Sequence, residues 1–150
     1  MRVWRLTRAD YAPDPLSGRG AAAVGNRWNS PGTRVVYTAT SRALAVLEML
    51  VHVTKDTAPP DIVLVPIDVP QGLIRKATGL PDDWSELPYG ERARQFGDRW
   101  VREGRYAAIL VPSVVVPPEQ NLLINPAHRE FDRVRRRPVE TFAFDRRLFR

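Results

Sequence analysis

The chain has 150 residues, of which 43% are hydrophobic and 27% charged, a composition typical of one globular domain with its own core. The absence of cysteine excludes disulfides and thiolate metal sites, and two widely separated histidines make a poor metal site. The net charge of +6 comes from 21 Arg and 2 Lys against 17 acidic residues. Arginine suits phosphate and carboxylate groups, although the same bias is typical of a GC-rich genome. No apolar run approaches the length of a membrane span and the N-terminus lacks a signal-peptide core, so we expect a cytoplasmic protein with no membrane contact.

The order of apolar and turn-forming residues predicts more strands than helices. A strand is expected at residues 1–6, and the next long segment, 11–32, is expected to be loop because Gly and Pro interrupt it. The remaining expectations, in chain order, are a strand at 34–39, a helix at 42–54 capped by Thr40 or Ser41, a strand at 61–69, turns at 70–83, a helix at 88–103, strands at 106–111 and 121–124, a short helix at 129–135 and a strand at 139–144. Because strands and helices do not alternate regularly, we predict one α+β domain over residues 1–150 with a mainly antiparallel or mixed sheet.

The first predicted long helix carries a carboxylate in an apolar setting. Residues 43–53 are hydrophobic except for Glu48 and His52. An unpaired buried carboxylate is very costly, so Glu48 has either a dedicated partner or a function. The structural alternative is a pair with His52, one helical turn later, or with an arginine.

Four further residues combine useful chemistry with a position that favours a cleft. Arg27 follows Gly25 in a loop of small residues, where the backbone can approach a ligand closely. Arg5 lies on the first predicted strand, Tyr37 on the second can offer its ring for stacking, and Ser113 follows a buried strand directly. Each has a plainer alternative: a local ion pair or a solvent-facing position for the arginines, and a core or loop position for the tyrosine and the serine.

Several common catalytic motifs are missing. There is no Gly-x-Ser-x-Gly elbow, no P-loop and no His-Glu-x-x-His. The pair Gly18 and Gly20 is not followed by a third glycine at the spacing of a dinucleotide fingerprint, and no strand leads into it. These absences argue against hydride transfer from a stably bound nicotinamide.

Taken together, the ordered segments resemble the RES-domain family, the toxins of Xre–RES toxin–antitoxin modules. The matching segments run through nearly the whole chain: SGRGA at 17–21, GNRWNSPG at 25–32, VVYTA at 35–39, ALAVLE at 43–48 with His52, GDRW at 97–100, VPS at 111–113 and EQNLLINPAH at 119–128. One departure is Asn26, which stands where the family usually has a second Gly. Asparagine also tolerates a left-handed backbone, so we expect the loop to keep its form.

The resemblance implies an ADP-ribosyltransferase-like fold and an enzyme that cleaves the nicotinamide–ribose bond of NAD. It implies a glycohydrolase if water accepts the ADP-ribosyl group and a phosphorylase if phosphate is the co-substrate. The alternative is an ADP-ribosyltransferase acting on a protein or nucleic-acid target. NAD is substrate here, and no cofactor or metal is expected. Carried over by position, the catalytic residues would be Glu48, Arg27 and Tyr37, and the residues that bind NAD would be Arg5, Arg27, Tyr37, Ser113 and Asn121.

The resemblance also implies partners. They are a cognate Xre-type antitoxin and a second copy of the chain, as a homodimer within a larger toxin–antitoxin complex that contacts DNA only through the antitoxin. The arginine-rich run at residues 133–137 leaves two interpretations open. It could receive an acidic antitoxin tail or, with the net charge of +6, bind nucleic acid, although charge runs are usually solvated faces.

Overall fold

In a computed structural model that describes residues 1–149, one eight-stranded sheet forms the centre of the molecule. Its strands are β1 (Arg2–Arg8), β2 (Val36–Ala39), β3 (Ile62–Asp68), β4 (Ile74–Lys76), β5 (Ala108–Pro112), β6 (Gln120–Ile124), β7 (Arg135–Arg136) and β8 (Glu140–Thr141). Their order is β4-β5-β6-β2-β1-β3-β7, with β8 also pairing with β3. Strands β4 and β5 pair in parallel, and every other pair among the described strands is antiparallel. The predicted α+β class with a mixed, mainly antiparallel sheet is confirmed.

The helices are α1 (Arg19–Val24), α2 (Arg42–Leu50) and α3 (Glu91–Glu103). Helix α2 begins as predicted, because the Ser41 side chain accepts a hydrogen bond from the Leu44 N–H and so caps it. The predicted end at residue 54 is wrong, since the chain turns after Leu50. None of the helices in residues 1–149 is long and apolar enough to cross a membrane.

Four local predictions are corrected by the tertiary structure. Helix α1 lies in the segment predicted as loop: Gly18, at φ +67°, supplies the left-handed residue before it, and three alanines then favour helix. Strand β4 lies in the predicted turns because β5 offers it a parallel partner. The expected short helix at 129–135 is a single 3-10 turn followed by β7, and the expected strand at 139–144 shortens to β8. Short segments such as these take their structure from the sheet edge they meet.

Alternate residues of the central strands face different apolar clusters. In β6, Leu122 and Ile124 belong to one cluster, whereas Leu123 packs on the other side of the sheet against the cluster beneath α3. Helix α2 packs through Leu44 and Ala45 onto a third cluster formed with β1 and β3. The two longer helices therefore lie over the face of the sheet that carries Leu123.

Helix α3 makes an unusually close approach to the loop before β2. A Cβ at Gly97 would overlap the carbonyl oxygen of Trp28, so only glycine allows this contact. The Trp28 ring stacks on Trp84, with centroids 6.2 Å apart, and Phe96 meets it edge-on at 5.8 Å. One turn of α3 thus contacts both the backbone and the ring of Trp28 in this loop.

We expect Gly97→Ala to lower the free energy of unfolding by about 1–3 kcal/mol, because the added methyl forces α3 away from the loop. The matched control is Gly20→Ala in α1, where an added Cβ meets nothing within 4 Å and should be neutral or stabilising by up to about 1 kcal/mol. Chemical denaturation of both variants measures the difference. Equal stability of the two variants would contradict the close-packing argument.

Candidate active site

A cleft opens where β1 and β2 separate. These strands are neighbours in the sheet, yet they share one residue pair in register, Trp4 with Ala39, whereas β1 and β3 share seven. Beyond that pair the sheet splits, and α2 and residues 10–20 form the other walls of a cleft of about 800 Å³. Its lining includes Arg5, Tyr37, Glu48, His52 and Asn121.

Glu48 is held in the cleft by two hydrogen bonds to one oxygen. Its Oε1 accepts from the Ser113 hydroxyl at 2.8 Å and from the Asn121 Nδ2 at 2.6 Å. Its Oε2 has no hydrogen-bond partner within residues 1–149. Glu48 forms no ion pair or hydrogen bond with His52 or with an arginine among residues 1–149, so the two structural alternatives are wrong. The carboxylate is therefore oriented without being neutralised.

Ser113 lies behind Glu48 rather than in the wall of the cleft. Its side chain is fully buried, and its oxygen also accepts from the backbone N–H groups of Val115 at 3.1 Å and Val116 at 3.0 Å. With both lone pairs used, the hydroxyl proton is directed at Glu48. The contact that the structure shows for Ser113 is thus with the carboxylate, not with the space a ligand would fill.

Asn121 both orients Glu48 and faces the cleft. It enters from β6, opposite Ala39 of β2. Its Nδ2 is used by Glu48, but its Oδ1 is buried without a partner among the described residues. Buried acceptors are rarely left unpaired, so this oxygen suits an N–H or O–H of a bound ligand.

Tyr37 is part of the cleft lining, and its hydroxyl is bonded within the protein. The hydroxyl donates to Asn29 Oδ1 at 2.7 Å and accepts from the Trp28 N–H at 3.0 Å. Burial raises the pKa of the Tyr37 phenol, and the Trp28 N–H opposes this less strongly, so the group stays neutral. Both hydrogen bonds of this hydroxyl are therefore made within the protein, to the loop before β2.

Asn29 is a site residue that the residue-level reasoning missed. It is fully buried, and its Nδ2 donates to the carbonyls of Ala21, Ser30 and Thr33 at 2.9, 3.2 and 3.0 Å. It therefore ties the end of α1 to the loop and to Tyr37. Its one signal in the sequence was its place within the matching segment at 25–32.

Arg5 lines the cleft, and no carboxylate among residues 1–149 forms an ion pair with it. Its Nη1 donates at 3.1 Å to the Tyr37 carbonyl, which lies where β1 and β2 have parted. Its Nε is buried without a partner among the described residues, and burial lowers the pKa of Arg5. An anionic ligand would relieve this desolvation.

Arg27 lies next to the cleft but is not part of its lining. Its Nη1 donates to the carbonyls of Trp84 at 2.6 Å and Glu86 at 3.0 Å, and its guanidinium stands 5.2 Å from the centre of the Tyr89 ring. Burial lowers the pKa of Arg27, while Tyr89 and Glu48 act in the opposite direction.

Comparison with known proteins identifies the family. A family model described as the RES domain matches residues 2–145, and this chain belongs to the RES-domain family. A protein of Sphingobium sp. (strain YBL2) named "Prs ADP-ribosylating toxin" is 42% identical over 154 residues, covering 98% of this chain and 96% of that protein. A protein of Photorhabdus laumondii named "Toxin Res" is 38% identical over 133 residues, covering 87% of this chain and 85% of that protein.

The fold is also that of a solved structure. The chain matches a chain in the crystal structure of the M. tuberculosis MbcT–MbcA toxin–antitoxin complex with a TM-score of 0.75 and 21% identity, over 92% of this chain and 81% of that one. At this identity the match establishes the α+β fold, which is consistent with an ADP-ribosyltransferase-like architecture.

We expect Asn121→Asp and Asn121→Ala to differ in how their stability depends on pH. The alanine variant loses a hydrogen bond to a charged group and should cost about 1.5–3 kcal/mol of unfolding free energy at neutral pH. The aspartate variant adds a second carboxylate against Glu48, so its loss should be larger at about pH 8 and shrink towards about pH 4, where one of the two carboxyl groups takes up a proton. Denaturation at several pH values gives both curves. Parallel curves for the two variants would mean that Glu48 and Asn121 are not in contact.

Proposed function

We propose that this protein is the toxin of a toxin–antitoxin pair and that it cleaves the nicotinamide–ribose bond of NAD. The observation that carries the proposal is the carboxylate of Glu48 in a cleft that Arg5 also lines. Two donors orient one of its oxygens, and within residues 1–149 neither the other oxygen nor Arg5 has a side-chain partner. Membership of the RES-domain family and relatives named as toxins support the same reading.

The reaction needs no acid to release its leaving group. The bond from ribose C1′ to the pyridinium nitrogen breaks, its electron pair leaves with nicotinamide, and the leaving group becomes neutral. Positive charge develops on the ribosyl ring, and the free oxygen of Glu48 stabilises it or accepts a hydrogen bond from a ribose hydroxyl. An acceptor then bonds to C1′ and loses a proton.

The remaining side chains fit the other parts of NAD. The pyrophosphate is dianionic, and Arg5 and Arg27 are the cations that would hold it. The Tyr37 ring would stack on nicotinamide, and the Asn121 Oδ1 would accept from a donor of the ligand. Ser113 would act through Glu48.

Two candidate functions differ in the molecule that accepts the ADP-ribosyl group. Transfer to water or phosphate makes the protein an NAD glycohydrolase or phosphorylase, and either would deplete NAD. Transfer to a protein makes it an ADP-ribosyltransferase, and the name of the 42%-identical Sphingobium relative favours this second candidate. Both require the same bond cleavage at Glu48.

An antitoxin is the partner we propose. The structural match to a chain of a toxin–antitoxin complex supports it, while the Xre type of the antitoxin, the homodimer and the indirect contact with DNA rest on the family resemblance. The run at 133–137 is less available for charge recognition than its sequence indicates. Arg133 pairs with Glu130 at 2.8 Å and Arg137 with Asp68 at 2.6 Å. This pairing weakens both the acidic-tail and the nucleic-acid interpretations.

We expect Glu48→Gln to lower the rate of nicotinamide release by about 100- to 1000-fold, since an oriented charge that stabilises the transition state is lost. The control is Glu103→Gln at the end of α3, which removes an exposed carboxylate whose nearest cation is Arg105 at 3.8 Å and should leave the rate unchanged. Nicotinamide is quantified by chromatography. A Glu48→Gln variant with near-normal turnover would remove Glu48 from the mechanism.

The acceptor is identified by product analysis of the protein freed of its antitoxin. We expect NAD loss with release of nicotinamide. Free ADP-ribose would indicate hydrolysis, a product that requires added phosphate would indicate phosphorolysis, and ADP-ribose found on a protein by mass spectrometry would indicate transfer. Intact NAD in all three assays, with folded protein, would overturn the proposed function.

A further inference from the structure

The side chain of Arg27 is bound by the protein along one edge and open along the other. Its Nη1 donates to two carbonyls of the 84–86 segment, Trp84 at 2.6 Å and Glu86 at 3.0 Å. A guanidinium carries five N–H donors, and Nη1 supplies two of them. The other three, on Nε and Nη2, have no partner within residues 1–149 and are not buried.

The open edge is the one that binds oxyanions elsewhere in this chain. Arg2 uses Nε and Nη2 on the Asp68 carboxylate, Arg42 does the same on Glu140, and Arg147 does the same on Asp145. This fork of two parallel N–H groups matches the spacing of two oxygens on a carboxylate or phosphate. Arg27 therefore has its anion-binding edge exposed while its opposite edge is fixed.

Tyr89 completes the fixed side. The Arg27 guanidinium stands 5.2 Å from the centre of the Tyr89 ring, within the range of a cation–π contact. Arg94 of α3 lies at the same distance from this ring, and its Nε donates to the Asn26 carbonyl at 3.3 Å. The ring thus joins the 84–89 segment and α3 to the loop that carries Arg27.

That loop lies directly against the cleft. The Trp28 N–H, next to Arg27, donates to the hydroxyl of Tyr37, which is a residue of the cleft lining. The charge of Glu48 also acts on Arg27. Arg27 is thus one residue away from a backbone N–H that is bonded to a residue of the cleft lining.

We propose that Tyr89 is a positioning residue which, with the Trp84 and Glu86 carbonyls, fixes the Arg27 guanidinium so that its Nε–Nη2 fork receives the diphosphate group of the ligand. The inference rests on the proposed function, because the diphosphate is that of NAD. It assigns a role to a residue that is not part of the lining of the cleft.

The test measures the binding of ADP and of adenosine to the full-length protein by calorimetry, since only ADP carries the diphosphate. We expect Tyr89→Leu to weaken ADP binding by about 3- to 10-fold and to leave adenosine binding unchanged, in line with the strength of a cation–π contact. Tyr89→Phe keeps the ring face and should restore ADP affinity to within about 2-fold of the wild type. Arg27→Leu should weaken ADP binding by about 10- to 100-fold.

A matched control separates positioning from general destabilisation. Tyr106 carries the same kind of contact, with the Arg75 guanidinium 5.1 Å from its ring, at the β4–β5 edge of the sheet. Tyr106→Leu removes a comparable aromatic ring and should not change ADP affinity. Melting temperatures of both variants show whether either has lost its fold. If Tyr89→Leu has lost its fold, the ADP affinity of Tyr89→Phe still tests the inference.

Two outcomes would overturn the inference: no binding of ADP to the wild type, or ADP affinities that are unchanged in Tyr89→Leu while Arg27→Leu is weakened. Its failure is distinguishable from failure of the proposed function. If the inference alone fails, nicotinamide is still released from NAD and Glu48→Gln abolishes this release. If the proposed function alone fails, the expected pattern of ADP affinities is found while NAD stays intact.

Discussion

The separation of β1 from β2 is the constraint on which the rest of the site depends. Strand β1 pairs with β3 along its whole length and with β2 at one position, so backbone groups along the parted edges need other partners. The Arg5 guanidinium takes one of them, the Tyr37 carbonyl. The same split opens the cleft and places in it a cation that forms no ion pair in the described part of the chain. A sheet fully paired at this point would have neither feature.

The direction of Glu48 follows from where its helix begins. The Ser41 cap sets the first turn of α2, and Glu48 comes about two turns later, near the face that buries Leu44 and Ala45. From there it meets Asn121 on β6 and Ser113 just after β5. Two donors from separate strands converge on one oxygen, and the other oxygen stays available. Both donors are neutral groups, so the orientation of Glu48 does not depend on a paired cation.

The loop before β2 is held by an unusual number of independent contacts. The Asn29 side chain bonds the loop to α1, and the Tyr37 hydroxyl accepts a hydrogen bond from the Trp28 N–H. Gly97 allows α3 to approach the Trp28 backbone closely. Because Tyr37 accepts a hydrogen bond from this loop and also belongs to the cleft lining, the rigidity of the loop and the shape of the site are coupled. This coupling explains why a tyrosine, rather than a phenylalanine, suits this position.

The sequence by itself determined the class of fold, most of the strands, the capped start of α2 and the family, because these depend on local patterns and on segments that match in order. It also singled out Glu48, since a carboxylate in an apolar helix is visible without coordinates. Only the tertiary structure decided what Glu48 pairs with. Its partners are 65 and 73 residues away, and the nearer candidate His52 makes no bond to it. The short edge strands, the buried Asn29 and the role of Gly97 were likewise decided by neighbours that are distant in sequence. The physical reason is the same in each case. Folding brings a residue that is distant in sequence next to the group, where it satisfies a polar atom or leaves no room for a side chain, and a local sequence pattern does not reveal that residue.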